Sequence, residues 1–228
     1  MNQTTQTQKL KLLSVSQEAG NVKTFRFDPG GLNWLAGQNQ GYVLPEAGDT
    51  EAENERWFTI SSAPSEGTVN ISTRVSDSKF KQALDALRPG DEIACHDLGG
   101  DFTWEDDQPV VLVAGGIGVT PYRSMLMERH TAGKSLDAHL VYFNRTDEIP
   151  FQAELEQLDQ NHPELKVTYV VGEPISVDKI MELAPEAQSR LTYLSGPEPM
   201  VETVGADLKA QNVDLKQDWF PGYDRTNY

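Results

Sequence analysis

The feature that most constrains the fold is the segment 110–121, which reads VVLVAGGIGVTP. Its first five residues are apolar and are followed by glycines, which predicts a buried strand that ends in a sharp backbone turn. Thr120 is a favourable N-cap and Pro121 a favourable first helical residue, so a helix is predicted to begin directly after the turn. Free N–H groups at a helix N-terminus attract anions, and the segment therefore predicts a diphosphate site.

After about residue 105 the chain alternates an apolar strand pattern with a helical pattern. Four such strand–helix pairs occur, and a further short strand, DLKQDWF, follows the last helix. This alternation is typical of a parallel sheet that is covered by helices on both faces. We therefore expect residues 105–228 to form an α/β domain with a five-stranded parallel sheet.

Residues 1–104 follow a different pattern, in which short segments of alternating apolar and polar residues are separated by turns. This pattern predicts an antiparallel β-barrel domain. Within it, Phe80, Leu84 and Leu87 recur at helical spacing, which predicts a helix that caps the barrel and stops at Pro89. The polar stretch 46–55 is predicted to be a mobile loop.

The composition argues against several functional classes. The chain carries 35 acidic and 19 basic residues, a net charge of −16, which disfavours nucleic acid or an anionic membrane as a partner. No apolar run approaches the roughly 20 residues that span a bilayer, so we expect a cytoplasmic protein. The single Cys95 cannot supply the thiolates of an iron–sulfur cluster, and the four histidines lack metal-ligand spacing, so no metal is expected. The sequence contains no Gly-x-Ser-x-Gly motif, so it gives no indication of a hydrolase with that nucleophile.

Three ordered motifs resemble the signatures of the ferredoxin–NADP reductase superfamily of flavoproteins. RWFTISSAP at 56–64 resembles the Arg-x-aromatic-Ser/Thr flavin motif, and GGIGVTP at 115–121 the pyrophosphate loop. YLSGPEPM at 193–200 is similar to the family's Gly-Pro-x-x-Met motif. The resemblance spans nearly the whole chain. It implies a Greek-key barrel that binds a flavin, FAD rather than FMN, and an α/β domain that binds NADPH, with NADH as the alternative.

By this resemblance the strand 56–59 forms the flavin site. Arg56 would bind the flavin diphosphate, Phe58 would pack on the flavin, and the Thr59 hydroxyl would reach N5. Trp57 shares a strand face with Thr59, because side chains alternate along a strand. The family more often has Tyr and Ser where this chain has Phe58 and Thr59, and both residues are also ordinary strand composition.

Further candidates for the FAD pyrophosphate follow from the same resemblance. The guanidinium of Arg74 would approach the flavin phosphate or ribityl chain, although a solvated surface charge explains it equally well. The start of the capping helix offers free N–H groups to a diphosphate, and its candidate residues are Ser76, Ser78 and Lys79.

Candidates for the nicotinamide cofactor lie where parallel strands end, which is where such sheets bind ligands. Asn144 and Arg145 follow the second strand and suit the 2′-phosphate of NADPH, whereas Asp147 keeps NADH open. Ser195 stands where most relatives have cysteine beside the nicotinamide, which implies a catalytic role in orienting the reacting carbon; otherwise it is a turn residue. The remaining candidates are Gly115, Gly116, Gly118, Thr120, Pro121, Gly196, Pro197 and Met200.

The C-terminal segment KQDWFPGYDRTNY is rich in aromatic residues, some of which we expect to be buried. By the resemblance, Phe220 or Tyr223 would cover the outer flavin face until the nicotinamide displaces it, with Tyr223 counted among the catalytic candidates. Alternatively, both residues simply seal the last strand.

The function implied is an NAD(P)H-dependent flavoprotein oxidoreductase that passes electrons to a carrier such as ferredoxin, flavodoxin or an oxygenase component. Two alternatives stay open: a flavin reductase that uses flavin as a dissociable substrate, and a non-catalytic electron-transfer subunit.

Overall fold

The N-terminal half of the chain forms a six-stranded antiparallel sheet in the computed structural model, which describes residues 7–45 and 47–220. The strands are β1 Gln8–Ala19, β2 Val22–Asp28, β3 Asn39–Val43, β4 Glu55–Thr59, β5 Val69–Arg74 and β6 Glu92–Gly99. Their order in the sheet is β4-β3-β6-β1-β2-β5. Beyond the end of β4, the N–H of Ser61 donates to the carbonyl of Asn70 in β5 at 2.9 Å and so joins the two edges of the curled sheet. The prediction of an antiparallel barrel is confirmed.

The polar stretch before β4 contains a short helix, α1 Glu51–Asn54. Thr50 and Glu53 form a capping box, in which the Thr50 hydroxyl accepts from the Glu53 N–H at 3.2 Å and the Glu53 carboxylate accepts from the Thr50 N–H at 3.2 Å. The prediction of a loop is therefore wrong over the helical residues, because the Thr-x-x-Glu pattern satisfies the free N–H groups that start a helix.

A second helix, α2 Lys79–Ala86, closes the barrel as predicted. Phe80 and Leu84 are fully buried and pack with Phe25 and Ile71 of the strands. Burying each such side chain contributes roughly 1.5–3 kcal/mol, so the apolar spacing is sufficient to hold the helix on the barrel.

The second half of the chain forms the predicted five-stranded parallel sheet. Its strands are β7 Val110–Gly115, β8 Ala138–Asn144, β9 Leu165–Val171, β10 Leu191–Pro197 and β11 Leu215–Phe220, in the order β11-β10-β7-β8-β9. The helices are α3 Thr120–Thr131, α4 Gln152–Asn161, α5 Val177–Leu183 and α6 Glu198–Ala210. Leu112 of β7 packs towards α3 and α4, whereas its neighbour Val113 packs towards α5 and α6. The helices therefore cover both faces, as expected.

The start of α3 corrects the prediction for Thr120. The glycine loop itself coils into a 3-10 turn, Gly116–Val119, that runs directly into the helix, so Thr120 is the first residue of α3 and not its N-cap. Its hydroxyl donates to the carbonyl of Ile117 at 3.0 Å. The free N–H groups therefore belong to the glycine loop, one turn earlier than the sequence indicated.

The two halves meet between β6 and β7, the segment that contains the predicted boundary between residues 104 and 105. Phe102 already packs in the α/β core, with its ring 5.9 Å from Tyr122 and 5.3 Å from Tyr193.

Across residues 7–45 and 47–220, none of the helices is both long enough and apolar enough to cross a membrane.

Candidate functional site

A cavity of about 290 Å³ opens at the carboxyl ends of the parallel strands. Ligand sites of α/β sheets occur at this edge. Seven of the residues that the sequence singled out line the cavity together: Arg74, Gly115, Gly116, Asn144, Arg145, Pro197 and Met200. The sequence did not single out Ile117, Phe143, Glu173, Pro174 or Ile175, which complete the wall.

The glycines at this edge are required by close packing. A Cβ on Gly118 would lie 2.3 Å from the Ser195 carbonyl oxygen, and one on Gly115 would lie 2.5 Å from the Met200 sulfur. Gly116 has a φ of +55°, which L side chains rarely adopt, and faces the Arg74 guanidinium. The loop backbone is thereby pressed against the end of β10 and its N–H groups are left open to a ligand.

Arg74 reaches this cavity from the barrel. Its Nη2 donates to the Asn144 Oδ1 at 3.3 Å, and its Nη1 donates to the Asn21 Oδ1 at 3.2 Å. The Asn144 amide in turn donates to the carbonyls of Thr146 and Glu148. The structure thus brings Arg74 together with the nicotinamide candidates, while its role toward a flavin stays a prediction.

Ser195 is completely buried at the end of β10 and has a partner that the sequence analysis missed. Its hydroxyl donates to the Asp218 carboxylate of β11 at 3.5 Å, because the strand register places the two residues side by side. Burial raises the pKa of Asp218 to about 7, and the charge of Asp101 acts in the same direction. Asp218 stands in the predicted strand DLKQDWF, but only the pairing of β10 with β11 reveals its partner.

Among the buried side-chain oxygens that have no hydrogen-bond partner within the described part of the chain, two belong to predicted flavin-site residues: Thr59 Oγ1 and Ser78 Oγ. Buried polar atoms are nearly always paired, so these two oxygens can accept or donate a hydrogen bond to a ligand bound at the predicted site. Thr59 ends β4, and Ser78 immediately precedes α2. The hydroxyl of Thr59 therefore fits a flavin N5, and that of Ser78 fits a flavin phosphate.

Two basic candidates of the barrel, Arg56 and Lys79, lie around α1. The Arg56 guanidinium donates to the carbonyls of Ala52 and Glu55, the latter at 2.6 Å. Lys79 pairs with Asp49 at 2.7 Å and with Glu53 at 3.0 Å. Both cations therefore have protein partners, which a flavin phosphate would have to share.

The other flavin candidates divide between the two faces of the barrel. Phe58 lies half-buried, with its ring centre 6.0 Å from that of Tyr42 and 5.9 Å from that of Phe80. Trp57 is 41% exposed on the opposite face and contacts His96 edge-on at 5.7 Å. Ser76 is exposed.

The two C-terminal candidates are Phe220 and Tyr223. The backbone of Phe220 pairs with Pro197 at the end of β11, and Tyr223 lies outside the described residues.

Pro121 is buried in the first turn of α3, and Gly196 packs against the Met200 side chain. In the described ranges no three His, Cys, Asp or Glu side chains form a group that could hold a metal.

Known proteins that are similar to this chain include flavohemoproteins and reductase subunits. The family described as the oxidoreductase NAD-binding domain matches residues 112–205. The chain is 27% identical to a flavohemoprotein of Pseudomonas putida, covering 92% of this chain and 57% of that protein. It is 28% identical to the glycine betaine monooxygenase reductase subunit of Chromohalobacter salexigens, covering 90% and 61%. The chain thus spans little more than half the length of several relatives that it matches.

Solved structures share the fold. The cytochrome P450 reductase of Amycolatopsis superposes with a TM-score of 0.79 at 20% identity, over 95% of this chain and 71% of that one. The ferredoxin–NADP+ reductase of Plasmodium falciparum gives a TM-score of 0.76 at 16% identity, over 93% and 95%. In sequence, the chain is 31% identical to ferredoxin–NADP reductase B of Sorangium cellulosum, covering 85% of this chain and 80% of that protein. The family predicted from the three motifs is confirmed: the chain belongs to the ferredoxin–NADP reductase family.

Proposed function

We propose that this protein is an NAD(P)H-dependent flavoprotein oxidoreductase that moves electrons from NADPH through barrel-bound FAD to a one-electron carrier. The observation that carries the proposal is the buried hydroxyl of Thr59, which ends the strand of the flavin motif and has no hydrogen-bond partner among the described residues. An unpaired buried hydroxyl costs about 1–3 kcal/mol, and a flavin N5 would relieve that cost. Family membership and the reductase names of the relatives support the same function.

The chain's residues would bind and align the two cofactors. The N–H groups of the loop Gly116–Val119 would hold the NADPH pyrophosphate, and the Ser195 hydroxyl would orient the nicotinamide. Thr59 would donate to N5, while Ser78 and the start of α2 would bind the FAD phosphates. The flavin, when bound, supplies the chemistry, because it accepts a hydride and releases electrons singly. The protein supplies proximity, which requires about 3–3.5 Å between reacting atoms.

NADPH is the favoured donor because two guanidinium groups, Arg74 and Arg145, line the cavity beside Asn144. Guanidinium groups suit the 2′-phosphate that distinguishes NADPH from NADH. Glu173 lines the same cavity and would disfavour that phosphate, which keeps NADH as the second donor.

The acceptor belongs to the class of one-electron carriers: a ferredoxin, a flavodoxin or an oxygenase component. Two relatives are reductase components of monooxygenases, which supports the last of these. The net charge of −16 disfavours strongly acidic carriers, because like charges slow association. A cytoplasmic location, where NADPH is available, agrees with this role.

A flavin reductase that releases its flavin is the second candidate. It is favoured by Arg56, whose guanidinium is bound to the backbone carbonyls of residues 52 and 55 and so has fewer N–H groups for a flavin diphosphate. Flavin that leaves the protein during gel filtration, while NADPH still reduces added FMN or FAD, would establish this function.

The deciding experiment is anaerobic stopped-flow mixing of the FAD-loaded protein with NADPH and, separately, with NADH, monitored by flavin absorbance. We expect rapid bleaching with NADPH and slower bleaching with NADH. A protein that takes up neither FAD nor FMN, or a bound flavin that neither donor bleaches, would overturn the proposal. The second outcome would instead favour a non-catalytic subunit.

A further inference from the structure

Helix α3 connects the two candidate half-sites directly. Its N-terminus continues the glycine loop, and its side docks on residues 61–66, the segment that follows Thr59 and β4. The Ser124 hydroxyl donates to the Ser62 carbonyl at 2.7 Å, and the Glu128 carboxylate accepts from the Ser65 N–H at 2.8 Å. One rigid helix therefore spans from the pyrophosphate loop to the end of the flavin strand.

Arg123 is the centre of this contact. Its Nη1 donates to the Ser61 carbonyl at 2.9 Å and to Glu66 at 2.8 Å, and its Nη2 donates to Glu66 at 3.0 Å. From the α/β side, Glu154 of α4 accepts from Nε at 2.7 Å and from Nη2 at 3.0 Å. Every N–H group of the guanidinium is thereby used, and the side chain is 6% exposed.

The surroundings of Arg123 and Glu66 favour the charged form of both side chains. Burial opposes the charged form of Arg123, but hydrogen bonds and charges from Glu66 and Glu154 outweigh it and raise the Arg123 pKa above its usual value. Burial likewise acts against ionised Glu66, yet the hydrogen bond from Arg123 lowers the Glu66 pKa overall. Buried ion pairs add little stability beyond what apolar packing would provide, so a fixed geometry is the better account of this one.

We propose that Arg123 is a positioning residue: from α3 of the α/β domain it binds Ser61 and Glu66 of the barrel and so sets the distance between Thr59 and the pyrophosphate loop. Ser61 follows Thr59 by two positions, and Arg123 follows Thr120 by three, so the bridge is close to both half-sites. This inference rests on the proposed hydride transfer between them. Lysine cannot replace the planar fork, because an ammonium offers a point charge without bidentate geometry.

The test is the Arg123→Lys variant of the FAD-loaded protein, mixed anaerobically with saturating NADPH. We expect the flavin reduction rate to fall about tenfold or more, because displacement of about 1 Å costs up to a hundredfold. Flavin content and the Kd for NADPH should stay close to the wild-type values. The long-wavelength charge-transfer absorbance, which reports stacking of nicotinamide on flavin, should weaken in parallel.

Three matched variants separate positioning from stability. Glu66→Gln weakens the bridge to the barrel, and Glu154→Gln weakens the contact inside the α/β domain, so only Glu66→Gln should slow flavin reduction several-fold. Arg129→Lys is the control on the same helix, since Arg129 is equally buried and pairs with Asp107 at 2.6 Å, away from residues 61–66. It should leave the rate unchanged.

Rates within twofold of wild type for Arg123→Lys and Glu66→Gln, with a lower Tm, would overturn the positioning role and leave a structural one. If Arg123→Lys does not fold, Glu66→Gln decides alone, because glutamine keeps the shape and an acceptor oxygen. Failure of the proposed function looks different: the wild-type flavin itself would not be reduced by NADPH, and the positioning role would end with it.

Discussion

The barrel and the α/β domain build their halves of the site in different ways. On the α/β side the site is made of backbone: Gly115 and Gly118 leave no room for a Cβ, and the loop presents N–H groups. On the barrel side it is made of side chains, since Thr59 and Ser78 place buried hydroxyl oxygens that have no hydrogen-bond partner within residues 7–45 and 47–220. Substitutions on the α/β side should therefore act by steric clash, and those on the barrel side by removing a hydrogen-bonding group.

The largest effect expected from this difference is that of Gly118→Ala. The new methyl group would collide with the Ser195 carbonyl at 2.3 Å, where neither backbone can easily move. We expect a loss of about 3 kcal/mol of unfolding free energy and loss of NADPH binding, measured by denaturant unfolding and by titration. Gly99→Ala is the control, because its Cβ would meet no atom closer than 3.9 Å. If both variants lost the same unfolding free energy and the same NADPH binding, the close packing of Gly118 would not explain the effect.

Thr59→Val tests the barrel side with a change of chemistry at nearly constant shape. Without flavin, the variant should be more stable by about 1 kcal/mol, because a buried unpaired hydroxyl is replaced by a methyl group. With FAD bound, the rate of reduction by NADPH should fall about tenfold, the equivalent of one lost hydrogen bond.

The control for Thr59→Val is Tyr42→Phe, which removes another buried hydroxyl from the barrel core, one that has no partner in the described part of the structure. It should stabilise the flavin-free protein as well but leave the rate of flavin reduction unchanged. A Thr59→Val variant that behaves in the same way would show that the Thr59 hydroxyl has no role toward the flavin.

Asp218 is a side-chain contribution on the backbone-built side, and Asp218→Asn measures how large it is. Folding raises the pKa of this carboxyl to about 7, so its contribution to stability is complete below pH 4 and is lost as the pH rises towards 7. Asparagine does not ionise. The Tm of the variant should therefore match that of wild type near pH 4 and exceed it by at least several degrees above pH 7. A Tm difference that is constant over this range would contradict the shift.

Arg145→Ala should have the smallest effect. Arg145 is exposed at the rim of the cavity, where charge interactions are screened by solvent. We expect the ratio of kcat/KM for NADPH over NADH to fall about threefold to fivefold, and the drop to shrink at high salt. An unchanged ratio would assign the discrimination of the phosphate to Arg74 instead.

Much of this architecture could be predicted from local sequence patterns. Alternating residues indicated the barrel strands, strand–helix alternation indicated the parallel sheet, and the positions of Gly115, Gly116 and Gly118 indicated the loop at its edge. These features depend on near neighbours in the chain, and their periodicity is visible without the fold. The Thr50-x-x-Glu53 pattern of α1 is equally local, whereas the early start of α3 depends on how the glycine loop coils.

The sequence by itself therefore determined the fold class of the two halves, the succession of their strands and the family. The tertiary structure alone decided which distant residues meet: Ser195 with Asp218 through the β10–β11 register, Arg74 with Asn144 at the cavity, and Arg123 with Ser61 and Glu66 across the domains. The physical reason is that these contacts join residues that lie 23 to 70 positions apart in the chain. Each partner belongs to a segment whose local sequence pattern is complete without the contact, so neither segment predicts the other. Only the docking of the folded elements brings them within hydrogen-bonding distance.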